Sequence, residues 1–553
     1  MPSVDTASAI LSSLDTLGVT HVLYCPGSRS APFAYALEAG SFSGDARPIL
    51  DERGAGFAAV GLARTGALPA IVVTSGTAVA ELAPAVLEAS HARLPLLVLS
   101  ADRPGELRGV GASQATDQAG FFGTHVRASI DLEPQEASPS LVGHLVRAVA
   151  AACGAPSGTP GPVQINVAFR DPLTPLRPAS DSGDEAVAPF VPRPTLAMGA
   201  PAVPARWEDV VGLADAGLIV AGEGASPFAR EWSEASGFPL LAEPASGAWS
   251  GGGVTAFEQS LVSSPLGREV DAVVVTGRPT LSRPIQALLA RPDVRVVVVD
   301  AHAPWVDISG NASIVVADLE PAREPIRAAQ AEWASRVREA ARDADERIES
   351  LLASGSGRTM LDLARSVAAS TSGPLVLGAS NPVRAFDLAV PTLEGRVVHS
   401  NRGQAGIDGT IATAVGICLG SGYAGEASAP AGERVTAVMG DLTACHDASS
   451  LALAASVDAH LDIIVADDQG GGIFATLEHG RAASAEAYDR WFGLAQSLDY
   501  EALAAAYGVA FARADAPREL ESLLAHPTNG PRLIHAPVER AAHLYPAIRD
   551  VLS

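Results

Sequence analysis

Two aspartates stand where strands should end. Gly440-Asp441-Leu442 closes the apolar run Val435-Thr436-Ala437-Val438-Met439. Asp468, 27 residues further on, follows the run from Leu461 to Ala466 and precedes Gln469-Gly470-Gly471-Gly472. In open α/β sheets, ligands bind outside the carboxyl ends of strands. Two carboxylates there, beside glycines that let backbone carbonyls approach closely, suit a hard cation such as Mg²⁺. Mg²⁺ usually bridges one or two carboxylates to a ligand's phosphates, so the pair predicts a metal-bound diphosphate. Taken singly, either Asp is an ordinary loop residue or helix cap. The constellation carries the reading.

The elements that must position these groups read as α/β. In the first part, apolar runs at His21–Tyr24, Ile71–Thr74, Leu96–Ser100 and Val163–Val167 alternate with helix-like stretches, which favours a parallel sheet covered on both faces. From Arg177 to Ala205 the composition is that of a linker, rich in Pro, Ala, Ser and acidic residues. A second unit has strands near Leu218–Ala221, Ala272–Thr276 and Val294–Asp300. A charged helical connector, about Glu320 to Leu352, leads to a third, with strands near Leu375–Leu377, Val397–His399, Val435–Met439 and Ile463–Ala466. The expected architecture is three consecutive doubly wound parallel-sheet domains at 1–178, 195–345 and 346–553, consistent with 553 residues at roughly 150–200 per domain. Gly222-Glu223-Gly224 follows a strand, but without a third glycine it reads as a structural turn.

Composition excludes several classes. A net charge of −24 argues against nucleic acid as a partner. The chain has no lysine and all 38 basic residues are Arg. This rules out a Schiff-base lysine and a Walker-type phosphate loop, and leaves anion binding to Arg, backbone amides or metal. Cys25, Cys153, Cys418 and Cys445 form no C-x-x-C pair, so neither zinc nor a disulfide framework is indicated. No apolar run is long enough to span a bilayer, so a cytoplasmic protein without membrane insertion is expected.

The N-terminal part carries unusual strand-end loops: Cys25-Pro26-Gly27-Ser28-Arg29-Ser30, Asp51-Glu52-Arg53-Gly54, Thr74-Ser75-Gly76-Thr77, Ser100-Ala101-Asp102-Arg103-Pro104 and Gly111-Ala112-Ser113-Gln114. Arg29 and Arg103 are suited to gripping carboxylates bidentately.

Together with Ser400-Asn401-Arg402-Gly403, Gly406-Ile407-Asp408-Gly409 and Gly440-Asp441-Leu442-Thr443, these loops resemble the thiamine diphosphate (ThDP) enzymes. Within them, the resemblance is to the menaquinone-pathway 2-succinyl-5-enolpyruvyl-6-hydroxy-3-cyclohexene-1-carboxylate synthase family. Most of the superfamily has Gly where Leu442 stands, whereas Leu is usual in this branch. Asp467, Gln469 and Ser113 depart from the common Asn-rich form.

The resemblance implies a ThDP-binding fold, ThDP with Mg²⁺ or Mn²⁺ as cofactors, and a homodimer or homotetramer with active sites at the subunit interface. It implies that Asp441, the Asp468 side chain and the Gly470 carbonyl bind the metal. Ser75, Gly76, Ser380, Gly440, Leu442 and Thr443 fall to the cofactor. Ile407 is the apolar prop that bends it, and Ile473, Phe474 and Leu477 form an apolar wall near the thiazolium. Glu52 is expected to bond the aminopyrimidine ring nitrogen and raise its proton affinity. Arg29, Arg103, Gln114, Arg283, Arg384 and Arg402 face the substrates, 2-oxoglutarate and isochorismate. Both are dianions, which fits several fixed guanidinium groups. An acetolactate synthase-type 2-oxoacid enzyme and a non-catalytic ThDP-fold binding subunit are the alternatives.

Overall fold

The computed structural model describes residues 3–136, 138–155, 158–175, 202–249, 253–393, 395–421, 433–457 and 459–553. Most of the expected linker therefore lies outside the described residues.

Apolar runs bounded by turn residues become strands buried on both faces, as parallel sheets require. Three sheets result, and every pairing in them is parallel. The first has six strands in the order Asp45–Pro48, His21–Tyr24, Pro69–Val73, Leu96–Asp102, Pro162–Ala168, Ala128–Leu132. The second has five, in the order Ala312–Val316, Arg295–Val299, Ala272–Thr276, Gly217–Ala221, Leu240–Ala242. The third has six, in the order Val398–His399, Leu375–Leu377, Val435–Gly440, Leu461–Asp467, Arg532–Pro537, Ala510–Arg513. The charged connector is a 26-residue helix, Ala328–Ala353. The Gly222-Glu223-Gly224 segment is a turn in which Glu223 is ion-paired with Arg278.

By contacts the chain forms two compact units. One comprises Met1–Ala200, Ile411–Gly432 and Ser449–Val457 and holds the first sheet. The other comprises Pro201–Thr410, Glu433–Ala448 and Asp458–Ser553 and holds the other two. In the first unit, Ile10, Leu14 and Phe33 pack with Leu97, Leu99 and Ile165 of the sheet. No helix among the described residues is long and apolar enough to cross a membrane.

Candidate active site

In the first unit the candidate residues follow the carboxyl ends of successive strands. Glu52 opens the helix Glu52–Arg64, whose N-cap is Asp51. The Asp51 carboxylate accepts from the Gly54 amide at 3.1 Å and from the Ser449 hydroxyl at 2.7 Å. A cap of this kind satisfies amides the first turn leaves unpaired, and it fixes where Glu52 begins. Glu52 is half-buried. It lies near Cys25, whose thiol is pushed well up by burial and then by the charges of Glu52 and Asp51.

Ser75, Gly76, Arg103 and Gln114 are brought together. The Arg103 guanidinium donates to the Ser75 hydroxyl and to the Gln114 carbonyl, and the Gln114 amide donates to the Ser75 carbonyl at 2.9 Å. Arg29 donates to the Phe169 carbonyl at 2.9 Å. Burial, then the neighbouring Arg103 charge, draws the Arg29 guanidinium down, against Asp171 and Asp102.

In the second unit, Asp441 opens the helix Asp441–His446 directly after the strand that ends at Gly440. Its Oδ1 accepts from the Leu442 amide at 2.8 Å. Its Oδ2 is buried with no hydrogen-bond partner. Burial raises Asp441 to about 6, against the Leu442 amide. Burial, then the Asp441 charge, raises Asp468 to about 7. Two desolvated carboxylates that repel each other, one with an orphaned oxygen, form a donor set that fits a divalent cation.

The loop after Asp468 is tightly packed. Gly470 has φ +128, and a Cβ there would stand 2.0 Å from the Gly493 carbonyl oxygen, so only glycine fits. Thr443 is buried on the Asp441 helix, beside Leu442. Ile473 and Phe474 lie on the short helix Gly472–Ala475, and the Phe474 ring stands 5.6 Å from that of Phe492. Ile407 is partly exposed on the loop before helix Thr410–Gly420.

Ser380, Arg384 and Arg402 form a second cluster in this unit. Arg384 donates to the carbonyls of Ala379 and Ser380 at 3.1 and 2.7 Å. Arg402 donates to the same Ala379 carbonyl at 3.1 Å and to the Thr280 hydroxyl at 3.1 Å. Burial, then the Arg402 charge, lowers Arg384 to about 10. Arg283, Arg384 and Leu477 line one cavity. Arg283 also faces Glu478, at 3.3 Å.

Thus Glu52, Arg29, Arg103, Gln114, Ser75 and Gly76 belong to one unit. The acidic pair, Leu477 and the other three arginines belong to the other.

Residues 4–121 match the N-terminal TPP-binding domain of thiamine pyrophosphate enzymes, and 385–536 match the C-terminal TPP-binding domain. The chain is 40% identical to a 2-succinyl-5-enolpyruvyl-6-hydroxy-3-cyclohexene-1-carboxylate synthase from Nocardioides sp., over 97% of this chain and 95% of the relative. It is 41% identical to the enzyme of that name from Kineococcus radiotolerans, over 95% of this chain and 94% of the relative. For the Renibacterium salmoninarum relative the identity is 38%, over 100% and 97%. The chain belongs to the 2-succinyl-5-enolpyruvyl-6-hydroxy-3-cyclohexene-1-carboxylate synthase family.

As a member of this family it is a ThDP enzyme, and several residues that shape its candidate site carry no sequence signal. Asp467 accepts from His535 Nε2 at 2.9 Å. Burial pushes Asp467 up, but the bonds from His535 and the Gln469 amide outweigh it and hold the carboxyl below the usual range. Arg540 donates to the Asp468 carbonyl at 2.8 Å and to the Gln469 carbonyl, which anchors the loop after the strand Leu461–Asp467. Glu243, fully buried, accepts from the Leu281 amide at 2.6 Å. Burial raises it to about 8, against that amide and the Arg402 charge. These partners lie far along the chain, and only an i,i+4 or motif-type spacing would have flagged them.

The helix that starts at Glu52 is held by a close helix–helix approach inside the first unit. A Cβ on Gly61 would stand 2.1 Å from the Thr413 carbonyl oxygen and 2.9 Å from Gly416 Cα. Gly61→Ala gains ~1 kcal/mol of helix propensity. Backbone atoms cannot swing aside, however, so overpacking at ~1–3 kcal/mol should win. The expected result is a Tm several degrees lower in calorimetry. An unchanged or higher Tm would show that the two helices can part without cost.

Proposed function

We propose that this chain decarboxylates 2-oxoglutarate and adds the resulting four-carbon unit in a 1,4 sense to isochorismate. The products are 2-succinyl-5-enolpyruvyl-6-hydroxy-3-cyclohexene-1-carboxylate and CO2, in menaquinone biosynthesis in the cytoplasm. The observation that carries this reading is the near-full-length similarity to the Nocardioides and Kineococcus synthases. In it, 1–178 binds the pyrimidine, 195–345 is a central domain, and 346–553 binds diphosphate and metal.

When bound, ThDP supplies the nucleophilic carbon that takes up the 2-oxoacid and holds the electron pair left when CO2 departs. The chain's own residues do the rest. Asp441, Asp468 and the Gly470 carbonyl hold Mg²⁺ or Mn²⁺ against the diphosphate, beside Gly440, Leu442, Thr443 and Ser380. Glu52 holds a proton at the aminopyrimidine nitrogen. Ile407 props the cofactor, and Ile473, Phe474 and Leu477 keep water from the reacting carbon. Arg29, Arg103, Arg283, Arg384, Arg402 and Gln114 bind the carboxylates of the two dianions, which need pairing once desolvated.

With ThDP and Mg²⁺, the protein is expected to release one CO2 per 2-oxoglutarate consumed and to form the adduct only when isochorismate is present. Turnover of pyruvate to acetolactate in its place would overturn the assignment.

We further propose a homodimer or homotetramer whose active sites take Glu52 from one subunit and Asp441 from another, as the family resemblance implies. Glu52→Gln and Asp441→Ala proteins, each inactive alone, should regain activity on subunit exchange. Recovery should reach at most about half per mixed dimer, since one of its two sites is intact. Exchange proven by mass measurement without recovery would mean that each site is built within one chain.

A further inference from the structure

The cavity lined by Arg283, Arg384 and Leu477 has a wall that the functional reading leaves unused. Its volume is about 230 Å³, and Tyr545 and Arg549 line it as well. Both sit on the helix Leu544–Arg549, four residues apart and so on one face. Among the described residues, three guanidinium groups and no carboxylate line this space.

Along the cavity lining the charge is one-sided. Arg384 is mostly buried and, among the described residues, donates to the carbonyls of Ala379 and Ser380. Arg549 is half-buried and spends its Nε on the Tyr545 carbonyl at 3.3 Å. The buried carboxyl groups of Asp387 and Glu243 act on Arg384 from outside the cavity lining. Burial acts against the Arg549 cation, Asp550 favours it, and the like charges of Arg283 and Arg481 act with burial. None of these carboxylates, Asp387, Glu243 or Asp550, lines the cavity, so the guanidinium groups facing it favour an anion there.

The second observation is the Tyr545 side chain. It is 6% exposed, and its hydroxyl is buried with no hydrogen-bond partner. Burial, then the Asp468 charge, pushes this hydroxyl up, against the Arg384 charge. A buried hydroxyl without a partner is costly, and a wall donor that binds a ligand group offsets that cost.

We propose that Arg549 and Tyr545 form a carboxylate-binding pair on the last helix, which reads a carboxylate of one substrate opposite Arg384. This rests on the function proposed above. The carboxylate belongs to 2-oxoglutarate or to isochorismate, and the experiment separates the two.

The holoenzyme with ThDP and Mg²⁺ is assayed with each substrate varied in turn, for wild type, Arg549→Ala, Arg549→Lys and Tyr545→Phe. Arg549→Ala should raise KM for one substrate by roughly tenfold or more, with a smaller fall in kcat. Arg549→Lys keeps the charge at the helix end but loses the planar fork, so it should recover KM only in part. A role confined to capping that helix would be fully rescued by Lys.

Tyr545→Phe should raise the same KM by roughly threefold or more while leaving Tm unchanged or higher, because an unpaired buried hydroxyl is removed. That substrate should also protect wild type against thermal unfolding more than it protects Arg549→Ala. Arg336→Ala, which removes an exposed pair with Glu269 away from the cavity, serves as the control and should move neither KM.

The substrate whose KM moves is the one held. If neither KM moves beyond about twofold in Arg549→Ala and Tyr545→Phe while ThDP still binds, the pair is structural and the proposal falls alone. If wild type does not consume 2-oxoglutarate, the functional reading and this proposal fall together.

Discussion

Glu52→Gln is expected to lower turnover by ~10²–10⁴-fold, the usual worth of a positioned proton-transfer group. The swap keeps size and polarity, so its effect isolates the charge. Glu52 is the first residue of its helix, and the Asp51 cap that fixes that helix does not depend on the Glu52 side chain. The fold should therefore survive. ThDP with Mg²⁺ should still raise Tm, because the diphosphate and metal contacts are proposed for other residues. Turnover and ThDP-dependent thermal shift are measured on the same preparation. Near-normal turnover would remove Glu52 from the mechanism. A large fall in Tm without cofactor would instead make it a structural residue.

Asp441→Ala is expected to abolish the Mg²⁺-dependent binding of ThDP, whereas Asp468→Asn is expected to keep it. Partners in the outer shell of a metal site alone account for ~10–100-fold in affinity. A direct ligand beside a polyanion should exceed that. Asp441 is buried, and its Oδ1 already serves the Leu442 amide while Oδ2 has no partner. Ala removes both functions, so Asp441→Asn accompanies it to separate loss of charge from loss of the helix-start bond. At Asp468, Asn retains an oxygen for the metal and removes a charge that Asp441 repels. The readout is the rise in Tm on adding ThDP with Mg²⁺, compared with ThDP and a chelator. Binding kept in Asp441→Ala but lost in Asp468→Asn would reverse the ligand assignment.

The sequence by itself determined the class of architecture and most of the strands. Parallel strands covered on both faces read as unbroken apolar runs. His21–Tyr24, Ala272–Thr276 and Leu375–Leu377 form as expected, and Leu96–Ser100 and Ile463–Ala466 are longer by only a few residues. It also determined that the acidic and arginine-bearing loops follow strand ends, because turn residues mark where each run stops.

Strands without such a run stayed hidden. Asp45–Pro48, Ala128–Leu132, Ala312–Val316 and Ala510–Arg513 are sheet edges that alternate or are half-exposed. Arg532–Pro537 is interior but opens with an arginine, whose burial is offset by Asp462 on the adjacent strand at 2.8 Å and by the His526 and Leu523 carbonyls.

The same physics limits the site. Motif residues such as Asp441 and Glu52 announce themselves by local spacing. His535 against Asp467, Arg540 on the Asp468 loop, Glu243 near Arg402, and Tyr545 with Arg549 on the cavity wall do not. Each acts through a partner or cavity brought near by the tertiary fold. Their burial, charge balance and unpaired atoms exist only once the sheets have packed, so only the tertiary structure decided them.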